Sequence, residues 1–141
     1  MKKRVLFLCT GNSCRSQMAE GWLRHLKGDS FAAFSAGVAK HGMNQHAIKV
    51  MQEAGVDISG QHSKLLSELE NLDFDLVVTV CGNAHESCPV FPGRVRVVHV
   101  PFDDPPALTK GLTEESDILP VYRRVRDEIA AFVSGIEKLL I

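Results

Sequence analysis

The residues Cys9-Thr10-Gly11-Asn12-Ser13-Cys14-Arg15-Ser16 have types and a spacing that suit oxyanion chemistry. A loop wound into a helix N-terminus directs several backbone N–H groups at one point, which suits a tetrahedral anion. Thr10, Gly11, Asn12, Ser13, Cys14 and Arg15 would form that cradle. Gly11 allows close backbone approach, and Asn12 tolerates positive φ. Arg15 offers a planar fork for two oxygens. Cys9, near Arg15 and the positive end of the helix dipole, should ionise well below the free thiol value of about 8.5. Ser16 can hydrogen-bond that thiolate. Cys14, inside the loop, reads as a packing residue. A bare C-x5-R would often be no more than a buried cysteine beside a helix cap. Here Gly, Asn and a helix-starting Ser coincide with it.

Two further groups have reactive side chains. Cys81 and Cys88 flank Gly82-Asn83-Ala84-His85-Glu86-Ser87, a spacing unlike CxxC that suits a mobile segment. Zinc, with His85 and His99 as added ligands, is a weak alternative because no short-spaced ligand pairs occur. Two buried cysteines are the plain alternative. Asp103-Asp104-Pro105-Pro106, taken alone, is a turn.

These residues need a scaffold, and the pattern supplies one. Residues 5–8, Val-Leu-Phe-Leu, read as a buried strand. Ser16 is expected to cap a helix to Lys27, with Met18, Trp22, Leu23 and Leu26 inward and Gly28 as the stop. A strand over 31–36 follows. A helix opens at Asn44 and runs to Ala54, with Ala47, Ile48 and Met51 inward and Gly55 at its end. Ser63 or Ser67 starts a short third helix. Residues 76–80 form the clearest central parallel strand, and 95–100 another. Residues 114–140 are mostly helical, with Tyr122, Val125, Ile129, Phe132 and Ile136 on one face and Pro120 in an opening turn or at a kink. Alternating strands and helices predict a doubly wound α/β sheet. The loops after three strands, 9–16, 81–92 and 101–111, lie where such sheets bind ligands.

Composition narrows the class. The chain's 141 residues suit one domain. The 45% hydrophobic and 23% charged content is ordinary for a globular protein. Sixteen basic and seventeen acidic residues give a net charge of -1, which gives no support to a general nucleic-acid surface. The basic start is followed by an apolar run that stops at Cys9, short of the roughly 7–15 residues of a secretory h-region. No run approaches the roughly 18 apolar residues of a membrane span. Four cysteines are too few for a disulfide scaffold. The expectation is a cytoplasmic protein with reduced thiols.

Residues 9–22, Cys-Thr-Gly-Asn-Ser-Cys-Arg-Ser-Gln-Met-Ala-Glu-Gly-Trp, resemble the thioredoxin-coupled arsenate reductases of the low-molecular-weight protein tyrosine phosphatase superfamily. So do Ser35-Ala36-Gly37, His41-Gly42, Asp57-Ile58-Ser59, Leu76-Val77-Val78-Thr79, Phe102-Asp103-Asp104-Pro105 and residues 123–129, in order across nearly the whole chain. The resemblance implies a flavodoxin-like three-layer α/β sandwich with four parallel strands and helices on both faces. It implies arsenate or phosphate as ligand and thioredoxin as partner, with no cofactor beyond a redox-active disulfide. Cys9 is then the nucleophile, Asp104 the general acid with Asp103 in support, and Cys81 and Cys88 the second and third redox cysteines. The alternative function is a phosphatase working through a Cys9 phosphocysteine. Against it, Pro106-Ala107 stand where such phosphatases carry an aromatic residue. Many of these reductases have an acid at the position of Lys64, holding potassium near the equivalents of Asn12 and Ser35. Here Lys64 is either a solvated lysine or an ammonium in the cation's place.

Overall fold

The computed structural model describes residues 2–80 and 95–140. Four strands form one parallel sheet: β1 (Lys3–Cys9), β2 (Phe31–Gly37), β3 (Leu76–Thr79) and β4 (Arg96–His99), in the order β2-β1-β3-β4. Val5, for example, is paired with Ala33 on one side and Leu76 on the other. The apolar run at residues 5–8 is buried without exposure, as a central strand covered on both faces requires. This order is that of flavodoxin-like sheets, whose switch point falls between β1 and β3. Cys9 ends β1 at that point.

The helices are α1 (Arg15–Lys27), α2 (Gln45–Glu53), a one-turn α3 (Pro105–Leu108) and α4 (Glu115–Ser134), with α1 and α2 packing on α4. Helix α1 starts one residue before Ser16, with Cys14 as N-cap and no side chain capping it. Ser16 does not cap because its hydroxyl is committed elsewhere, as described below. Met18 and Leu23 are buried, whereas Leu26 is 45% exposed, so the inward stripe ends a turn early. Asn44 caps α2 as expected, its Oδ1 accepting from His46 N and Ala47 N at 2.9 and 3.1 Å.

The third expected helix is only a 3-10 turn, Leu66–Leu69. Neither serine starts it. Ser63 donates to the Asn12 carbonyl at 2.6 Å, and the Glu68 carboxylate accepts from Leu65 N at 2.8 Å. The Asp-Asp-Pro-Pro segment forms α3 instead of a bare turn. Asp104 is extended, as a residue before proline prefers, and Pro105 occupies the first turn. Helix α4 carries Pro120 at an exposed position in its second turn. Gly135 separates α4 from a 3-10 turn, Ile136–Leu140. No helix among the described residues is long and apolar enough to cross a membrane.

Candidate active site

The loop between β1 and α1 is held from beneath by a directed hydrogen-bond chain. Asn12 takes the left-handed conformation, φ 49°, foreseen for it. Its Oδ1 accepts from the Lys64 backbone N–H at 2.8 Å and from Gln17 Nε2 at 2.9 Å. Its Nδ2 therefore faces Ser16 and donates to Oγ at 2.9 Å. Ser16 Oγ lies 2.8 Å from Cys9 Sγ. Ser16 Oγ accepts from Asn12 and keeps its own proton, which can point at the sulfur once Cys9 is a thiolate. A thiolate at Cys9 thus gains a charge-assisted donor, and both groups are buried.

From the other side the chain 37–44 lies along the loop. Ala39 N donates to Thr10 O, His41 N to Gly11 O and Asn44 N to Ser13 O, at 2.9 to 3.0 Å. These bonds use loop carbonyls on the outside. Gly37 makes the approach possible: a Cβ there would lie 2.7 to 2.9 Å from three backbone atoms, of Thr10, Ala39 and Asn12.

Arg15 reaches the loop after β4. It donates to the Phe102 carbonyl at 3.0 Å and lies 3.6 Å from the Asp104 carboxylate. Cys9, Arg15, Ser16 and Asp104 thus come from the ends of β1 and β4 and the first turn of α1. Asp103 turns away and pairs with Arg124 on α4 at 2.9 Å. Cys14 is buried, and that burial pushes its thiol up from about 9 to about 12, so it remains protonated. Cys81 and Cys88 lie outside the described residues.

Lys64 is 13% exposed. Its ammonium donates to the His62 carbonyl at 2.8 Å and lies 3.7 Å from Glu20 Oε1. Glu20, buried in α1, accepts from Ser35 Oγ at 2.5 Å and from Arg24 at 2.6 Å. Glu20 and Gln17 are supports that motif reading missed. Gln17 Nε2 also meets the Asn12 and His62 carbonyls, while Gln61 binds Gln17 Oε1 at 2.8 Å. The signal was present. Two polar residues three apart flank Met18-Ala19 on the stretch of α1 nearest the loop, where a surface helix would bury apolar side chains. Among the described residues no group of three or more His, Cys, Asp or Glu could hold a metal ion.

Known proteins share this architecture and sequence. An arsenate reductase from Halalkalibacterium halodurans is 51% identical over 128 residues, 91% of this chain and 90% of that protein. A structure described as an arsenate reductase in the phosphate binding state superposes with a TM-score of 0.77 at 30% identity, covering 99% of each chain. A low-molecular-weight protein tyrosine phosphatase from T. tengcongensis gives 0.77 at 28% identity, covering 99% of this chain and 100% of that one. The family model for low molecular weight phosphotyrosine protein phosphatases matches residues 4–140. With a thiol at the end of β1, a loop wound into α1 and an arginine at its rim, the chain belongs to that family.

Proposed function

We propose that the protein is a cytoplasmic arsenate reductase, recycled by thioredoxin through Cys9, Cys81 and Cys88. The observation that carries this reading is the Cys9 sulfur at 2.8 Å from a serine hydroxyl, in a loop whose Arg15 reaches Asp104. Arsenate reductases among its relatives support the choice of substrate.

The proposed chemistry starts at Cys9. Its thiolate attacks the arsenic of arsenate held by the loop N–H groups and Arg15. One As–O bond breaks, and Asp104 gives its proton to the leaving oxygen, which departs as water. Cys81 thiolate then attacks the Cys9 sulfur. The S–As bond breaks with its electron pair on arsenic, which falls from As(V) to As(III) and leaves as arsenite. A Cys9–Cys81 disulfide remains. Cys88 thiolate attacks Cys81, Cys9 departs as thiolate, and a Cys81–Cys88 disulfide is left for a dithiol reductant.

A phosphatase reading, with a phosphocysteine at Cys9, has the same loop and acid in its favour. Residual hydrolysis of phosphate esters follows from the shared shape and charge of phosphate and arsenate. Pro106 and Ala107, both exposed, leave no aromatic wall beside Asp104 for a phosphotyrosine ring.

Lys64 is proposed to replace the monovalent cation that many such reductases bind. Its ammonium already faces Glu20 and the His62 carbonyl, and a second positive charge there is repelled. These residues do not fit a potassium ion.

Cys81→Ser and Cys88→Ser test the relay. Both should lose multiple-turnover arsenate reduction and keep para-nitrophenyl phosphate hydrolysis. Cys88→Ser should stop after one turnover as a Cys9–Cys81 disulfide, seen by peptide mapping. Full reductase turnover in Cys88→Ser would overturn the three-cysteine relay.

A further inference from the structure

Behind the oxyanion loop a chain of side chains leads from the protein surface to the Cys9 sulfur. Arg24 Nη1 donates to Gln61 Oε1 at 2.9 Å, Gln61 Nε2 to Gln17 Oε1 at 2.8 Å and Gln17 Nε2 to Asn12 Oδ1 at 2.9 Å. Asn12 Nδ2 donates to Ser16 Oγ at 2.9 Å, and Ser16 Oγ lies 2.8 Å from Cys9 Sγ. The chain starts at a guanidinium that is 53% exposed. Its last members, Gln17, Asn12 and Ser16, are fully buried.

Turning any of the three amides over would reverse its bonds. Neighbours that only donate or only accept exclude this. The Lys64 backbone N–H donates to Asn12 Oδ1 at 2.8 Å, so the Asn12 NH2 is the end that faces Ser16. Gln17 Nε2 also faces the Asn12 and His62 carbonyls at 3.1 and 3.0 Å, and a carbonyl only accepts. Gln61 Nε2 likewise donates to the Gln17 backbone carbonyl at 3.0 Å. That leaves Gln61 Oε1 for Arg24, whose guanidinium only donates. Every N–H of the chain therefore points toward Cys9. Bonds aligned in this way polarise one another, most strongly where water is excluded. The positive end of the last amide meets Ser16 Oγ, whose own proton serves a thiolate at Cys9.

We propose that Gln17 and Gln61 are positioning residues: with Arg24 as charged anchor, they form an amide relay that holds and polarises the Ser16 donor on the Cys9 thiolate. The proposal rests on the reading of Cys9 as the nucleophile. Gln61 is linked to the sulfur through Gln17, Asn12 and Ser16 in turn, so its effect on the thiolate travels along the chain. Arg24 is held in place from its other side by Glu20, at 2.6 Å.

The test reads the Cys9 thiolate directly, by iodoacetamide alkylation against pH with peptide mapping, in wild type, Gln61→Met and Gln17→Met. Methionine keeps the length of the side chain and removes the amide. The half-alkylation pH of Cys9 should rise by at least about 0.5 in Gln61→Met, and further in Gln17→Met, one link nearer the sulfur. The ionisable neighbours of the loop are the same in all three proteins: Arg15 with Asp104 in front, Cys14 within it, His41 against Gly11, and Glu20 with Lys64 behind. The second readout is the side-chain NH2 resonance of Gln61 in isotope-labelled protein. Ionising Cys9 should shift it in wild type. Ser16→Ala cuts the chain next to the sulfur but leaves the charge, and should remove at least about half of that shift. A merely structural brace would lower the melting temperature of both methionine variants without moving the half-alkylation pH, and that result overturns the proposal. A Gln61 shift of full size in Ser16→Ala overturns it too. A wild-type Cys9 that titrates like a free thiol, near about 8.5, removes the nucleophile reading and the relay together. A low wild-type value that Gln61→Met leaves unmoved removes the relay alone. Should Gln17→Met fail to fold, Gln61→Met and the resonance decide.

Discussion

Two cysteines of one loop, five residues apart, have opposite electrostatic settings. Cys9 lies 2.8 Å from a hydroxyl that can donate to its thiolate, and Cys14 is sealed in apolar packing with its thiol pushed up to about 12. Iodoacetamide at pH 8 should therefore alkylate Cys9 and spare Cys14 in the folded protein, checked by peptide mapping with Cys9→Ser as control. Labelling of Cys14 at a comparable rate would contradict this assignment. The same shift has a thermodynamic side. The unfolded Cys14 thiol ionises near 9 and the folded one near 12, so its contribution to stability is whole below about 9 and shrinks as pH rises toward 12. The types and spacing of Cys9, Asn12, Arg15 and Ser16 were readable directly, because loop chemistry is local. The roles of Gln17, Glu20 and Gln61 were not, because partners such as Ser35 and His62 lie far along the chain; the only local mark is the pair of polar residues, Gln17 and Glu20, on the buried stretch of α1.

Elements place these residues through a few close approaches. The end of β2 abuts the oxyanion loop at Gly37, where three backbone atoms leave no room for a methyl group. Gly37→Ala should destabilise the fold by about 1–3 kcal/mol, the usual scale for overpacking. It should also weaken inorganic phosphate binding, since the loop must shift to admit the methyl. Denaturant melts and phosphate titration check both effects, and an unchanged affinity would show that the loop's shape does not depend on this contact. Strand positions and the bounds of α2 followed from apolar runs and the Asn44 cap. The short 3-10 turn at 66–69 was overestimated as a helix because Ser63 prefers the Asn12 carbonyl. Helix α3 was read as a turn because four residues carry no helical period.

At the scale of the whole molecule, the switch point of the sheet gathers the ends of β1 and β4 and the start of α1, while β2 and Lys64 close the site from behind. If the Lys64 ammonium stands in for the cation, as proposed, the loop's support should not depend on salt identity. Replacing sodium with potassium at constant ionic strength should leave the melting temperature and the arsenate KM nearly unchanged, and Lys64→Asp should introduce a potassium response. A marked potassium-specific rise in the wild type's melting temperature would contradict the assignment. The doubly wound topology was legible from alternating apolar patterns; the loop, arginine and acid serve reductase and phosphatase alike, so the choice between them rested on Cys81, Cys88, Pro106-Ala107 and the family resemblance. That choice is tested most directly by arsenate-dependent NADPH consumption with thioredoxin and thioredoxin reductase, run beside para-nitrophenyl phosphate hydrolysis. The account predicts sustained NADPH oxidation that requires arsenate and thioredoxin and disappears in Cys9→Ser. Brisk ester hydrolysis with no arsenate-dependent NADPH oxidation would contradict it.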